Sequence, residues 1–299
     1  MDKQRRAERQ GAKGLWRVIA LAATAATLVL LFGFGYAVSD VMGLGGPRQT
    51  LQSPDHTPDL ADRQELRVTA MGDSLTRGVG DTGGRGYVNR VLDGLSEKLD
   101  VPVRLNNNLA VGGQRMDGLA DKLASDSGYQ YAIRQADLIL LTIGGNDLFQ
   151  FAQYQEELPS GEGESPSGVP VPPEGTETGI SGIPGGLSVE AVAERIGVAL
   201  ERFRSVAGAI HELNPEARLI YVGLYNPFYD VPELRPASML VQQWNSSVYT
   251  ILQEYPAMHM LPTYDLFEET IDTYLSADRF HPNGAGYEQI ADRIIQIVE

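Results

Sequence analysis

Three observations predict an α/β protein with a central parallel sheet sandwiched between two layers of helices. Strand-like and helix-like segments alternate from about Glu65 to Glu299. One strand segment, residues 136–143, is apolar almost throughout (Leu138-Ile139-Leu140-Leu141), as expected for a strand buried on both faces. The motifs with chemistry to offer, around Ser74, Gly112, Asn146 and His281, fall just after a predicted strand or just before the last helix. In open parallel sheets that edge, beyond the carboxyl ends of the strands, is where ligands bind.

The elements follow in order. Residues 66–71 (Leu-Arg-Val-Thr-Ala-Met) predict a first strand. Residues 87–99 carry apolar side chains at 88, 91, 92, 95 and 99, a helical spacing. A second strand is predicted at 103–109, a helix at 116–124 and a third strand at 136–143. Ser188 can cap a long helix with apolar positions 189, 192, 196, 200, 203, 207 and 210. A fourth strand at 218–224, a helix at 237–254 and a short fifth strand at 258–262 come next. A closing helix over 286–298 has apolar positions 287, 290, 291, 294, 295 and 298.

Ahead of this domain, placed at 65–299, the chain changes character. Residues 1–17 hold six basic and two acidic residues, a net of +4, so the total of −15 leaves −19 on the other 282. Residues 18–38 contain no charge over 21 positions, and a helix of that length spans roughly 30 Å, the thickness of a bilayer core. The expectation is a transmembrane anchor, with the basic head in the cytoplasm and the remainder outside. The competing reading is a secretory signal cut after Ala37-Val38-Ser39. Residues 39–64, with Gly45-Gly46-Pro47, Pro54 and Pro58, read as an extracytoplasmic tether. Within the domain, residues 158–187 hold 8 Gly and 6 Pro and no Lys or Arg, a composition that reads as a flexible insertion, either a lid or a loop without a role.

Composition excludes several function classes. Without cysteine there is no disulfide, no thiolate metal site and no cysteine nucleophile. An acidic body repels phosphodiester backbones, which argues against a nucleic-acid partner.

The residues with chemistry to offer are few. Ser74, in Gly72-Asp73-Ser74-Leu75, leaves the first strand on a turn, where a hydroxyl can point into a cleft. An ordinary turn serine or helix cap would look the same. Of four histidines, His56 lies in the tether, His211 ends the long helix where a cation suits the dipole, and His259 sits in the fifth strand. His281 differs: Asp278 precedes it by three residues and Pro282 follows it, keeping it out of helical geometry. In such a loop Asp278 can fold back onto the imidazole. Gly112-Gly113 and the Asn146 amide, after strands two and three, are candidate donors to an oxyanion, or plain turns. The run 225–229 (Tyr-Asn-Pro-Phe-Tyr), after strand four, either lines a pocket or simply packs.

Taken together, four segments resemble, in order, the four blocks of the GDSL esterase/lipase family, also called SGNH hydrolases. They are Gly72-Asp73-Ser74-Leu75, Ala110-Val111-Gly112-Gly113, Gly144-Gly145-Asn146-Asp147 and Asp278-Arg279-Phe280-His281-Pro282. Within the family the layout is most similar to the membrane-anchored, YpmR-like lipase/acylhydrolases of Gram-positive bacteria. The resemblance implies a three-layer α/β/α fold of the SGNH, flavodoxin-like type and ester hydrolysis through an acyl-serine, with no cofactor and no metal. It implies Ser74 as nucleophile, His281 as base and then acid, and Asp278 as orienter. Ser74 N–H, Gly113 N–H and the Asn146 side chain would form the oxyanion hole, with Asp147 a structural turn residue. The family often has serine before the glycine of its second block; Gly112 stands there, so the donor amide could lie one residue away. The implied substrate is a small-molecule, lipid or cell-wall ester. An O-acetylesterase of cell-wall polysaccharide or peptidoglycan is the alternative, and a non-catalytic surface-binding domain would lack a reason to keep all four chemical groups.

Overall fold

A five-stranded parallel sheet organises the larger part of the chain. The structure, a computed structural model, describes residues 16, 20–21, 23–34, 60, 63–149 and 188–298. The chain divides into two units, Met1–Asp55 and His56–Glu299.

In the first unit residues 23–34 are helical. Apolar side chains such as Leu28, Leu30 and Phe32 are exposed there, while the Thr24 and Thr27 hydroxyls bond to carbonyls four residues back. The predicted span 18–38 is therefore described only in its middle; residues 18, 19, 22 and 35–38 lie outside the described residues. Among the described residues no helix is long and apolar enough to cross a membrane. The insertion at 158–187 lies wholly outside the described residues, as do nearly all of the basic head and most of the tether.

In the second unit the order is β1 (Leu66–Gly72), α1 (Ser74–Arg77), α2 (Gly86–Leu99), β2 (Val103–Asn108), α3 (Met116–Ser125), α4 (Ser127–Arg134), β3 (Leu138–Thr142) and α5 (Gly145–Phe149). It continues with α6 (Val189–Leu213), β4 (Arg218–Val222), α7 (Ala237–Leu252), β5 (Met258–Leu261), α8 (Tyr264–Phe267), α9 (Ile271–Tyr274) and α10 (Gly284–Val298). Strands lie in the order β2-β1-β3-β4-β5, with parallel neighbours throughout.

The period of two along each strand divides the side chains between two cores. Ile139, Leu141, Leu219 and Tyr221 face α3, α4, α6 and α7, where Phe203 and Trp244 are fully buried. Leu138, Leu140, Ile220 and Val222 face α2 and α10, against Val91, Leu95, Ile290 and Ile294. This is the predicted three-layer arrangement around a parallel sheet. Each fully buried aliphatic side chain stabilises it by about 1.5–3 kcal/mol.

All five predicted strands and five predicted long helices occur, with ends displaced by a few residues. Ser188 caps α6 as expected, accepting from Ala191 N at 3.1 Å. The globular unit begins ahead of Glu65, because Leu60 is buried in the second core. The sequence reading missed α4, whose N-cap is Asp126, accepting from Gly128 N and Tyr129 N. Its eight residues are too few for a periodic signal, and only the cap could have revealed it.

Candidate active site

The serine turn is fixed by backbone sterics. β1 and β3 end level, with Gly72 opposite Thr142. Gly72 has φ +134°, and a Cβ there would stand 1.9 Å from the Thr142 carbonyl oxygen, so only glycine lets the two strand ends approach. Asp73 then caps α1, its Oδ1 accepting from Leu75 N at 3.0 Å. Ser74 is the first helical residue, so its N–H is one that a helix leaves without an intrahelical acceptor. Gly78 ends the turn in the left-handed region.

The histidine loop is fixed by side chains. Asp278 Oδ1 accepts from Ser276 Oγ at 2.7 Å and from the Phe280 and His281 amides, each at 2.9 Å. Asp278 Oδ2 lies 2.7 Å from His281 Nδ1, and His281 Nε2 lies 2.7 Å from Ser74 Oγ. Tyr225 donates to the Phe280 carbonyl at 2.6 Å. Arg279, at φ +53°, pairs with Asp230 and Asp272.

Electrostatics assigns the protons. Burial by itself would raise the Asp278 carboxyl, but the hydrogen bond from His281, the imidazole charge, Ser276 and the His281 amide outweigh it and hold the group at about 2. Ionised Asp278 can only accept, so His281 Nδ1 carries a hydrogen and its neutral form presents a bare Nε2 to the serine hydroxyl.

The second and third sequence blocks are tied together. Asn146 Nδ2 donates to the Gln114 carbonyl at 3.2 Å, using one of its two hydrogens. Asp147 is more than a turn residue: both its oxygens accept from Met116 N, at 3.3 and 3.2 Å, capping α3 from another segment. Burial raises its carboxyl to about 6 against the opposing pull of Met116 N–H and Arg115. Gly113 occupies this tied loop in the left-handed region, φ +73°.

Beside Ser74 opens a pocket of about 420 Å³, counting the space that runs into solvent. Ser74, Asn146 and Asp73 line it together with Leu75, Phe149, Leu224, Tyr225, Pro227 and Phe280. Gly112 and Gly113 are not among its lining residues. Of the run after strand four, Tyr225 and Pro227 face the pocket, Asn226 holds the loop through Leu234 O and Ser238, and Phe228 packs on Phe149 and Phe280. Sequence reasoning thus brought together Ser74, His281, Asp278 and Asn146. It missed the local Ser276–Asp278 bond, and it missed the Tyr225–Phe280 and Asp73–Thr142 bonds, which join residues distant in sequence. Among the described residues no group of three His, Cys, Asp or Glu could hold a metal ion.

A parallel α/β sheet with a serine, a histidine and an acid in hydrogen-bonded series at its carboxyl edge is an arrangement shared by serine hydrolases of several folds. The chain belongs to the GDSL-like lipase/acylhydrolase family, whose family model matches residues 70–289, and it is a carboxylic ester hydrolase. It is 34% identical over 255 residues to the uncharacterized protein YpmR of Bacillus subtilis, spanning 84% of this chain and 89% of that one. It is 27% identical over 233 residues to the spore germination lipase LipC of Bacillus licheniformis, spanning 77% and 94%. Among solved structures, its fold is similar to that of the lipase Lip_vut3 from a goat rumen metagenome. That match has a TM-score of 0.59 at 24% identity and spans 78% of this chain and 97% of that one.

Proposed function

We propose that the chain cleaves carboxylic esters through an acyl-serine intermediate, with Ser74 as nucleophile, His281 as base and then acid, and Asp278 as orienter. The observation that carries this reading is the unbroken series of two 2.7 Å hydrogen bonds from Asp278 through His281 to Ser74, beside an apolar pocket. Ser74 Oγ attacks the carbonyl carbon as its proton passes to Nε2. The alcohol leaves with that proton as the ester C–O bond breaks. Water, deprotonated in turn by His281, then releases the acid and restores the serine. Ser74 N–H, Gly113 N–H and the second hydrogen of the Asn146 amide stabilise the oxyanion. An uncharged acyl chain suits the Leu75, Phe149, Leu224 and Phe280 lining.

The protein is expected to hydrolyse a short p-nitrophenyl ester and to be labelled by a fluorophosphonate. Ser74→Ala should lower turnover by roughly 10⁶ and abolish labelling; undiminished turnover would refute the serine route. Activity confined to acetyl esters would favour the O-acetylesterase reading over a longer-chain lipase.

We also propose that residues 18–38 anchor the chain in a membrane, with the 65–299 domain outside and residues 39–64 as tether. The uncharged run, the +4 head and the exposed apolar helix at 23–34 support this. Fractionated cells should keep the protein, with its first 38 residues, in the membrane; a mature N-terminus near Asp40 would mean secretion after cleavage.

A further inference from the structure

The residue before the serine is a carboxyl group that the proposed hydrolysis does not use. Asp73 is 3% exposed and belongs to the pocket wall. Its Oδ1 accepts from Thr142 Oγ1 at 2.7 Å and from Leu75 N at 3.0 Å. The Thr142 hydroxyl stands 2.8 Å from the Thr76 hydroxyl, which stands 2.8 Å from the Tyr87 phenol. These partners are buried, at 3%, 2% and 0% exposure, and all are neutral. The Thr76 hydroxyl also lies 3.2 Å from the Met71 carbonyl, which can only accept, so its one proton is shared between that carbonyl and Thr142.

Among the described residues no arginine or lysine pairs with this carboxyl. The titratable groups that feel it are Tyr87 on α2, Tyr221 on β4, Tyr225 after β4, Tyr287 on α10 and His281. Burial pushes all four phenols upward, so they offer no cation and no added anion. Of these five groups only His281 can carry a positive charge. Two other carboxyls contrast with this, since Asp137 has Arg67 and Arg63 and Asp81 has Arg90, whereas Asp147, with Arg115 and Arg202 no nearer than 3.9 Å, is raised by burial as Asp73 is. An unpaired buried carboxylate is costly, whereas the neutral acid is tolerated and leaves its second oxygen as a hydroxyl donor.

We propose that Asp73 serves as a neutral carboxylic acid in the pocket wall, and that its ionisation is what ends tight binding of acyl substrates on the alkaline side. The geometry is a buried carboxyl held by one hydroxyl and one amide, in the wall of the pocket beside Ser74. Burial raising the group above the ordinary carboxylate range, ahead of the opposing pull of Thr142, Leu75 and His281, agrees with this. A neutral wall accepts an uncharged chain; a carboxylate there retains water and weakens apolar binding. The inference rests on the ester-hydrolase reading only for its kinetic readout.

The test uses the full-length protein, Asp73→Asn and Thr142→Val. Infrared difference spectra of wild type against Asp73→Asn at pH 6 should show a protonated carboxyl band that the variant lacks. For a butyryl ester, wild-type KM should climb severalfold toward alkaline pH while kcat keeps its own profile. Asp73→Asn should remove that climb, and Thr142→Val, which takes away a bond favouring the ionised form, should move it to higher pH. Absence of the band, or a KM profile in Asp73→Asn identical to wild type, overturns the proposal. A wild type that hydrolyses no ester defeats the functional reading, while the infrared band still decides the state of Asp73. Should Asp73→Asn fail to fold, the shift in Thr142→Val decides alone.

Discussion

The serine turn and the histidine loop meet at one 2.7 Å hydrogen bond, yet they are held by opposite means. Beyond the Asp73 cap, the turn depends on the absence of atoms. Gly72 lets β1 close on Thr142, and Gly80 lets the turn close on the loop, since a Cβ there would stand 2.5 Å from Pro282 O and 2.9 Å from His281 Cβ. The loop is held by the presence of polar groups: one Asp278 carboxylate takes four donors, and Tyr225 and Arg279 hold its flanks. The difference divides the consequences of mutation. Atoms added to the turn should damage the fold, whereas groups removed from the loop should damage the chemistry first.

The sharpest way to break that contrast is Asp278→Asn. Three of its four donors face Oδ1, so the amide should place its carbonyl there and turn its NH₂ toward His281 Nδ1. That fixes the hydrogen on Nε2, the wrong tautomer for taking a proton from Ser74. Turnover should fall by about 10⁴, a barrier increase of roughly 5 kcal/mol, in a protein that still folds. Stability gives the second reading. Asp278 is depressed from 3.8 to about 2 in the folded chain, so its contribution is present above 3.8 and is lost as pH falls through 2. Denaturant unfolding should show a deficit of about 2 kcal/mol for the variant at neutral pH, closing near pH 2. A variant that unfolds outright would erase the distinction between loop and turn.

How much of this was legible in the sequence follows the same division. β3 announced itself because Leu138–Leu141 must be buried on both faces, and α10 because its apolar positions recur at helical spacing. Ser74, Asn146 and His281 could be singled out because each stands where a strand or loop ends, in company that suits its chemistry. What stayed hidden depends on register between distant segments. Nothing near Asp73 in sequence says that Thr142, 69 positions on, bonds to it. Nothing near Asp147 says that it caps a helix starting 31 positions earlier. Residue types limit what such groups can do, while their partners are chosen by strand order, which the alternation of strands and helices does not fix.

Gly72→Ala tests the turn with a smaller expected effect. The added methyl meets Thr142 O at 1.9 Å, Thr142 Oγ1 at 2.7 Å and the Thr142 carbonyl carbon at 2.8 Å. Two of these are backbone atoms of a central strand, so no rotamer change relieves the clash, and φ +134° is itself unfavourable for alanine. β1 must withdraw from β3 at the level of Asp73 and Ser74. Overpacking of this kind, with the backbone strain added, should destabilise the domain by about 3 kcal/mol in denaturant unfolding. Because β1 leads through Asp73 into Ser74, the shift should also lengthen the contact with His281, so the activity that remains should fall while the histidine loop keeps its own hydrogen bonds. A Gly72→Ala protein of wild-type stability and reduced turnover would mean that the turn, like the loop, yields its chemistry before its fold.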